Sequence, residues 1–119
     1  MAVKHKDLVI PKKTTKILEL QFKENGQIVD ITEWVVYFTV KDKMKDSDSG
    51  ALISKDIGYE QAIEHSDPEN GKTQIELSTT DTNLEGNFYY DVKYKDDEDN
   101  IGILFKGRIK FTRTVTTRT

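Results

Sequence analysis

Side chains able to do proton, nucleophile or metal chemistry are sparse in this sequence and poorly placed for it. Its 119 residues hold two histidines, His5 and His65, and no cysteine. Catalysis needs a nucleophile beside a base, or paired acids in a pocket. His5 falls in a short polar N-terminal stretch and His65 in the turn-rich run His65-Ser66-Asp67-Pro68-Glu69-Asn70-Gly71, so both are expected in solvent. Asp96, Asp97, Glu98 and Asp99 crowd into one chain reversal, where solubility and turn formation explain them better than an acid and base pair. Loop carboxylates also suit calcium. Asp46 with Asp48, or Asp97 with Asp99, are the candidates, but Ile57 stands where a helix-loop-helix calcium site carries its distal glutamate. There is no glycine-rich phosphate loop, nucleophile elbow or histidine-carboxylate metal pattern. The reading is a chain without enzymatic activity, with no catalytic residue, cofactor or metal.

These residues must be positioned by β-structure. Thr73, Ile75 and Leu77 alternate with polar neighbours, as do Phe88, Tyr90, Val92 and Tyr94, and then Ile103, Phe105, Gly107, Ile109 and Phe111. A period of two puts one face of each strand in a core. The interruptions at Leu84-Glu85-Gly86 and at Asp96 to Asn100 are short enough to return the chain antiparallel to itself. Earlier, Leu18, Leu20 and Phe22 share a face, Asn25-Gly26 signals a tight hairpin, and Trp34, Val36, Phe38 and Val40 mark a central strand with Trp34 in the core. Asp7 to Ile10 before Pro11 reads as a first edge strand. Lys41 to Gly50 reads as a long polar loop, Ala51 to Ser54 as a short strand, and Ile57 to Glu64 as helical turn or edge strand, with strand favoured by its surroundings.

Length and composition fit one domain spanning residues 1–119, with Met1 to His5 and Arg113 to Thr119 expected to fray. The missing cysteines remove disulfides and thiolate metal sites and argue against a small secreted disulfide scaffold. No apolar run reaches the roughly 18 residues of a bilayer span, and the N-terminus lacks the apolar stretch of a secretory signal. No membrane insertion is expected.

Net charge is only −3, but it is unevenly spread: Ile17 to Asn100 carries 20 acidic and 8 basic residues, while the two ends carry 10 basic and 1 acidic. If first and last strands are neighbours, Lys12, Lys13, Lys16, Arg108, Lys110 and Arg113 would form one basic edge. Such an edge either blocks unwanted strand pairing or docks an acidic partner. Nucleic acid is not expected as a partner, because the chain is acidic overall and no stacking aromatics interleave with this basic set.

Several elements occur in an order that resembles small tail and baseplate-associated proteins of bacteriophages: Asp30-Ile31-Thr32 before the central strand, Gly71-Lys72 before Ile75 to Ser78, Asp81-Thr82 with Leu84-Glu85-Gly86, Phe88 to Val92, and Gly107 leading to Val115-Thr116. Ile31 replaces the leucine usual there, Glu33 a small residue, and the acidic loop is longer than the tightest versions. Physically, Asp30 can bond its own downstream backbone and Gly86 can supply a positive φ. Gly86-x-Phe88-x-Tyr90 sits where immunoglobulin-like sandwiches carry a tyrosine corner, though position 88 lacks a hydroxyl. The expected fold is all-β, a single immunoglobulin-like antiparallel β-sandwich of about seven to eight strands. The resemblance implies a virion component, made in the bacterial host cytoplasm, whose partners are other phage structural proteins or further copies of itself. The expected partner surface comprises Arg108 and Lys110 on one strand's outward face, with Tyr89 and Lys93 on its neighbour. A second reading is a carbohydrate or host-cell-surface binding module using Tyr37, Tyr59 and Tyr89.

Overall fold

The structure, a computed structural model, describes residues 4–42 and 50–114. Among the described residues ten strands form, in chain order: β1 (Lys4–His5), β2 (Leu8–Pro11), β3 (Lys16–Gln21), β4 (Lys23–Glu24), β5 (Gln27–Ile28), β6 (Val35–Lys41), β7 (Ile53–Gly58), β8 (Lys72–Leu77), β9 (Gly86–Lys95) and β10 (Ile101–Thr112). A large curled sheet has the order β1, β10, β9, β6, β7, with β2 also on β10; β3 pairs with β8, and β4 with β5. The fold is therefore all-β and sandwich-like, but the second layer is only a two-stranded sheet. The loop proposed for calcium around Asp46 and Asp48, and Val115 to Thr119, lie outside the described residues.

Alternation in the sequence becomes burial in the structure. Val36, Phe38 and Val40 of β6 face Tyr94, Val92 and Tyr90 of β9, and across the core Ile75 and Leu77 of β8 are fully buried. Leu18 and Leu20 of β3 pack against the same cluster. Trp34 lies at its end, stacked on Tyr94 with ring centroids 5.1 Å apart, while Phe22 meets Trp34 edge-on at 5.5 Å. Asn25 and Gly26 take φ values of 51° and 78° and close the β4–β5 hairpin; two positive φ values in a two-residue loop match the right-handed twist of the flanking strands. Asp30 Oδ1 accepts the backbone N–H of Thr32 at 2.9 Å, forming the expected turn before β6, and Gly86 takes a φ of 112°.

Four expectations change. The sheet is mixed, because β1 and β2 run parallel to β10; Lys4 and His5 are thus strand residues rather than a frayed end. The Leu84-Glu85-Gly86 interruption is not a hairpin, since β8 belongs to the small sheet and β9 to the large one. That crossing is held by Thr82, fully buried, whose hydroxyl donates to Thr14 C=O at 2.7 Å and accepts Thr14 N–H at 2.9 Å. Third, β10 slips register against β9 between Ile103 and Phe105. The bulge sends Leu104 into the core at 5% exposure and turns Ile103 to the outer face, breaking a parity that otherwise holds from Phe105 to Phe111. Finally, β7 starts at Ile53 and runs on to Gly58, so the ambiguous segment contributes its first two residues to a strand and then turns.

His65 is a further departure: it is buried, not solvated. Its Nε2 lies 2.7 Å from the Trp34 carbonyl and its Nδ1 2.9 Å from Thr73 Oγ1. A carbonyl only accepts, so Nε2 carries the hydrogen, and Nδ1 of the neutral ring accepts from the Thr73 hydroxyl. Burial lowers the His65 pKa from its ordinary 6.5, against an opposing effect of the Trp34 carbonyl. Because Trp34 leads into β6 and Thr73 lies on β8, the imidazole bolts the large sheet to the small one.

A groove on the outer face of the large sheet

With one face of the large sheet committed to the core, the alternate residues of β10, β9 and β6 stand on the other. Register places them in rows. Arg108 faces Tyr89 and Tyr89 faces Lys41; Lys106 faces Asp91 and Asp91 faces Thr39; Ile103 faces Lys93 and Lys93 faces Tyr37. His5 of β1 extends the middle row beside Lys106. The curl of the sheet makes this face a groove of about 570 Å³ lined by these side chains except Tyr37.

One wall comes from the N-terminal segment. Between β1 and β2 the chain leaves the ladder, and the Asp7 carboxylate accepts the Arg108 N–H at 3.0 Å in place of a backbone carbonyl. The Lys6 carbonyl crosses so close over Gly107 that any Cβ there would overlap it. From the core side, the Tyr90 hydroxyl donates to that same Lys6 carbonyl at 2.6 Å. Burial, with a smaller contribution from the Asp7 charge, pushes the Tyr90 phenol up to about 12.

The groove is electropositive. Lys41, Lys93, Lys106 and Arg108 contribute four cations against the carboxylates of Asp7 and Asp91. The Arg108 guanidinium lies over the Tyr89 ring, 5.9 Å from its centroid, at the outer reach of a cation–π contact. Among the described residues, Lys93, Lys106 and Arg108 form no ion pair, whereas Lys12 and Arg113 both turn to Glu85, at 3.7 and 2.8 Å. Hydrogen bonding from Arg113 holds the Glu85 carboxyl below its ordinary pKa.

Of the expected surface, the structure brings Arg108, Tyr89 and Lys93 together in the groove. Lys110 shares their strand face but pairs with Asn87 and stands outside the lining. The expected single basic edge is split: Lys12 and Arg113 are engaged by Glu85, and Lys16 belongs to β3 in the other sheet. Sequence reasoning missed Thr39, Lys41, Asp91 and Lys106, which share outward parity with the residues it named, and also Ile103, Asp7 and His5. The bulge hides Ile103, and the parallel pairing of the N-terminal segment hides Asp7 and His5.

Tyr37 stands on β6 opposite Lys93 but outside the groove lining, and Tyr59 lies in the turn after the neighbouring strand β7, also outside it. Asp97 and Asp99 share the exposed β9–β10 loop. Among the described residues, no group of three or more histidines, aspartates and glutamates is arranged to hold a metal ion, and no helix is long and apolar enough to cross a membrane. Neither a protein-family model nor a curated protein sequence matches this chain.

Proposed function

We propose that this chain is a non-enzymatic structural and interaction module of a bacteriophage particle or prophage, in the tail or baseplate, which engages neighbouring proteins through the outer face of its large sheet. The observation that carries the reading is the electropositive groove. Its side chains project from hydrogen-bonded strands, so their spacing is fixed before any partner arrives, and unpaired cations at a fixed spacing favour an acidic partner in both approach and register. The ordered succession of motifs from Asp30 to Gly107 supports placing that partner in a phage particle.

A sugar-binding surface would need rings open to stacking. Tyr89 lies beneath Arg108, which favours the protein-docking reading. The test is quantitative mass spectrometry of purified particles induced from the source strain, scaled to their major tail protein. A fixed fractional copy number is the expected result. Absence from particles, with the chain abundant in the lysate, overturns the reading.

A further inference from the structure

The same chain that presents a basic groove also presents a compact acidic projection. Asp97, Glu98 and Asp99 are consecutive and exposed at the tip of the β9–β10 hairpin, and none of them forms an ion pair among the described residues. The loop is preorganised rather than slack. Asp96 N–H donates to Asn100 C=O at 2.9 Å, and Asp96 Oδ1 accepts the N–H groups of Glu98 and Asn100 at 3.0 and 2.8 Å. Asp96 is thus consumed in closing the loop, and Asp99 holds a φ of 63°. The next three carboxylates are left exposed to solvent.

This tip cannot reach the groove of its own molecule. β9 and β10 are paired up to Lys95 and Ile101, immediately beside the loop, and the groove is formed partly by those same two strands. A second molecule has no such restriction. We propose that the acidic β9–β10 tip of one copy docks in the groove of the next, with Asp97, Glu98 and Asp99 meeting Lys93, Lys106 and Arg108, and the tip backbone lying over Tyr89. This rests on the interaction-module reading and names its partner as a second copy of the chain.

Donor and acceptor are different patches of one surface, so the contact is heterologous: it leaves a free tip at one end and a free groove at the other, and propagates into a ring or a filament. The overall excess of acid in the middle of the chain and of base at its end then has a mechanical meaning. Asp96 to Asp99 lies in the acidic stretch, whereas Lys106 and Arg108 lie in the basic C-terminal one.

The experiment is sedimentation velocity on the full chain over a concentration series, with a charge swap. One variant carries Asp97→Lys, Glu98→Lys and Asp99→Lys; the other carries Lys106→Glu and Arg108→Glu; Lys110→Glu, on the same strand but outside the groove, is the control. The wild-type chain is expected to gain mass with concentration at about 0.05 M salt and to lose it at about 0.5 M, where charges are screened beyond a few ångströms. Each variant alone repels its own copies and should associate at least about tenfold more weakly. Mixed one to one they should associate again, because each then offers the other a complementary pair of surfaces, and the control should behave as wild type. All the altered side chains are exposed or half-buried, and circular dichroism serves as the check that each variant is folded. A wild-type chain that stays monomeric at low salt, or association that survives both reversals, overturns the proposal. Either result leaves the particle role standing if the chain is still found in particles at fixed copy number, whereas absence from particles removes that role regardless of self-association.

Discussion

His65 donates its Nε2 hydrogen to the backbone carbonyl of Trp34 across 2.7 Å, and the same carbonyl accepts the N–H of Tyr59 at 3.1 Å. One oxygen therefore anchors both the chain leaving β7 and the segment that leads to β8. Replacing His65 with alanine removes both ring hydrogen bonds and leaves a void beside the buried Thr73 hydroxyl. A loss of about 2 to 3 kcal/mol is expected in chemical denaturation.

The same imidazole gives stability a pH dependence with a definite sign. Its pKa is lowered in the folded chain, so the unfolded state takes up the proton first. The contribution is complete above the unfolded value of 6.5 and is lost as pH falls through the lower folded value. Carboxylates such as Glu85 and Asp30 are held below their ordinary values and so titrate at lower pH. Denaturation midpoints of wild type and His65→Gln should therefore diverge most at neutral pH and converge on acidification; parallel curves would contradict the assignment.

Gly58 supports this junction by having no side chain. Its φ is 120°, and a Cβ would overlap His65 Nε2 and the Trp34 carbonyl. Gly58→Ala should cost at least about 2 kcal/mol, by backbone strain and by prising the imidazole from its acceptor. Loss of protection at the Tyr59 amide in hydrogen exchange would locate the damage.

The bulge in β10 is tested by its two neighbours. Leu104→Ala should destabilise the fold by about 2 to 4 kcal/mol because Leu104 is in the core, and Ile103→Ala by less than about 1 kcal/mol because Ile103 lies on the groove. An uninterrupted alternation would predict the reverse order.

Tyr90 ties the N-terminal crossing to the core. Tyr90→Phe should cost about 1 kcal/mol by leaving the Lys6 carbonyl without its phenol donor. The phenol is raised to about 12 from 10.0, so the folded state keeps its proton longer. Its contribution is full below 10.0 and disappears as pH rises toward 12. The stability difference between wild type and Tyr90→Phe, followed by denaturation from neutral to alkaline pH, should shrink over that interval.

Much of this architecture is legible in the residues, and the exceptions share a cause. Strand faces on β6, β8 and β9 follow directly from alternation, and the Asn25-Gly26 turn and the Asp30 turn follow from local chemistry. What alternation does not encode is which strand lies next to which. The link from Leu77 to Gly86 carries the same turn residues whether it makes a hairpin or crosses between sheets, and distant contacts, such as those of β8 with β3 and of Thr82 with Thr14, distinguish them. His65 is hidden for the same reason, because its partners are Trp34, just ahead of β6, and Thr73 on β8, both distant in sequence. The groove is half legible: Arg108, Tyr89 and Lys93 share outward parity, but the bulge and the N-terminal crossing that complete it depend on long-range contact.

Parallel pairing of β2 with β10 also dictates an order of events during folding. The Arg108 amide and the Asp7 carboxylate that accepts it are separated by 101 residues. During synthesis β2 emerges first and waits with an unsatisfied edge until nearly the whole described chain has left the ribosome, while β3 and β8 or β9 and β6 can already pair. Closing so long a loop is entropically slow, which makes the addition of β2 a late step. A chain halted before β10 would expose apolar residues of both layers, so β10 is the strand that converts separately paired strands into a sealed core.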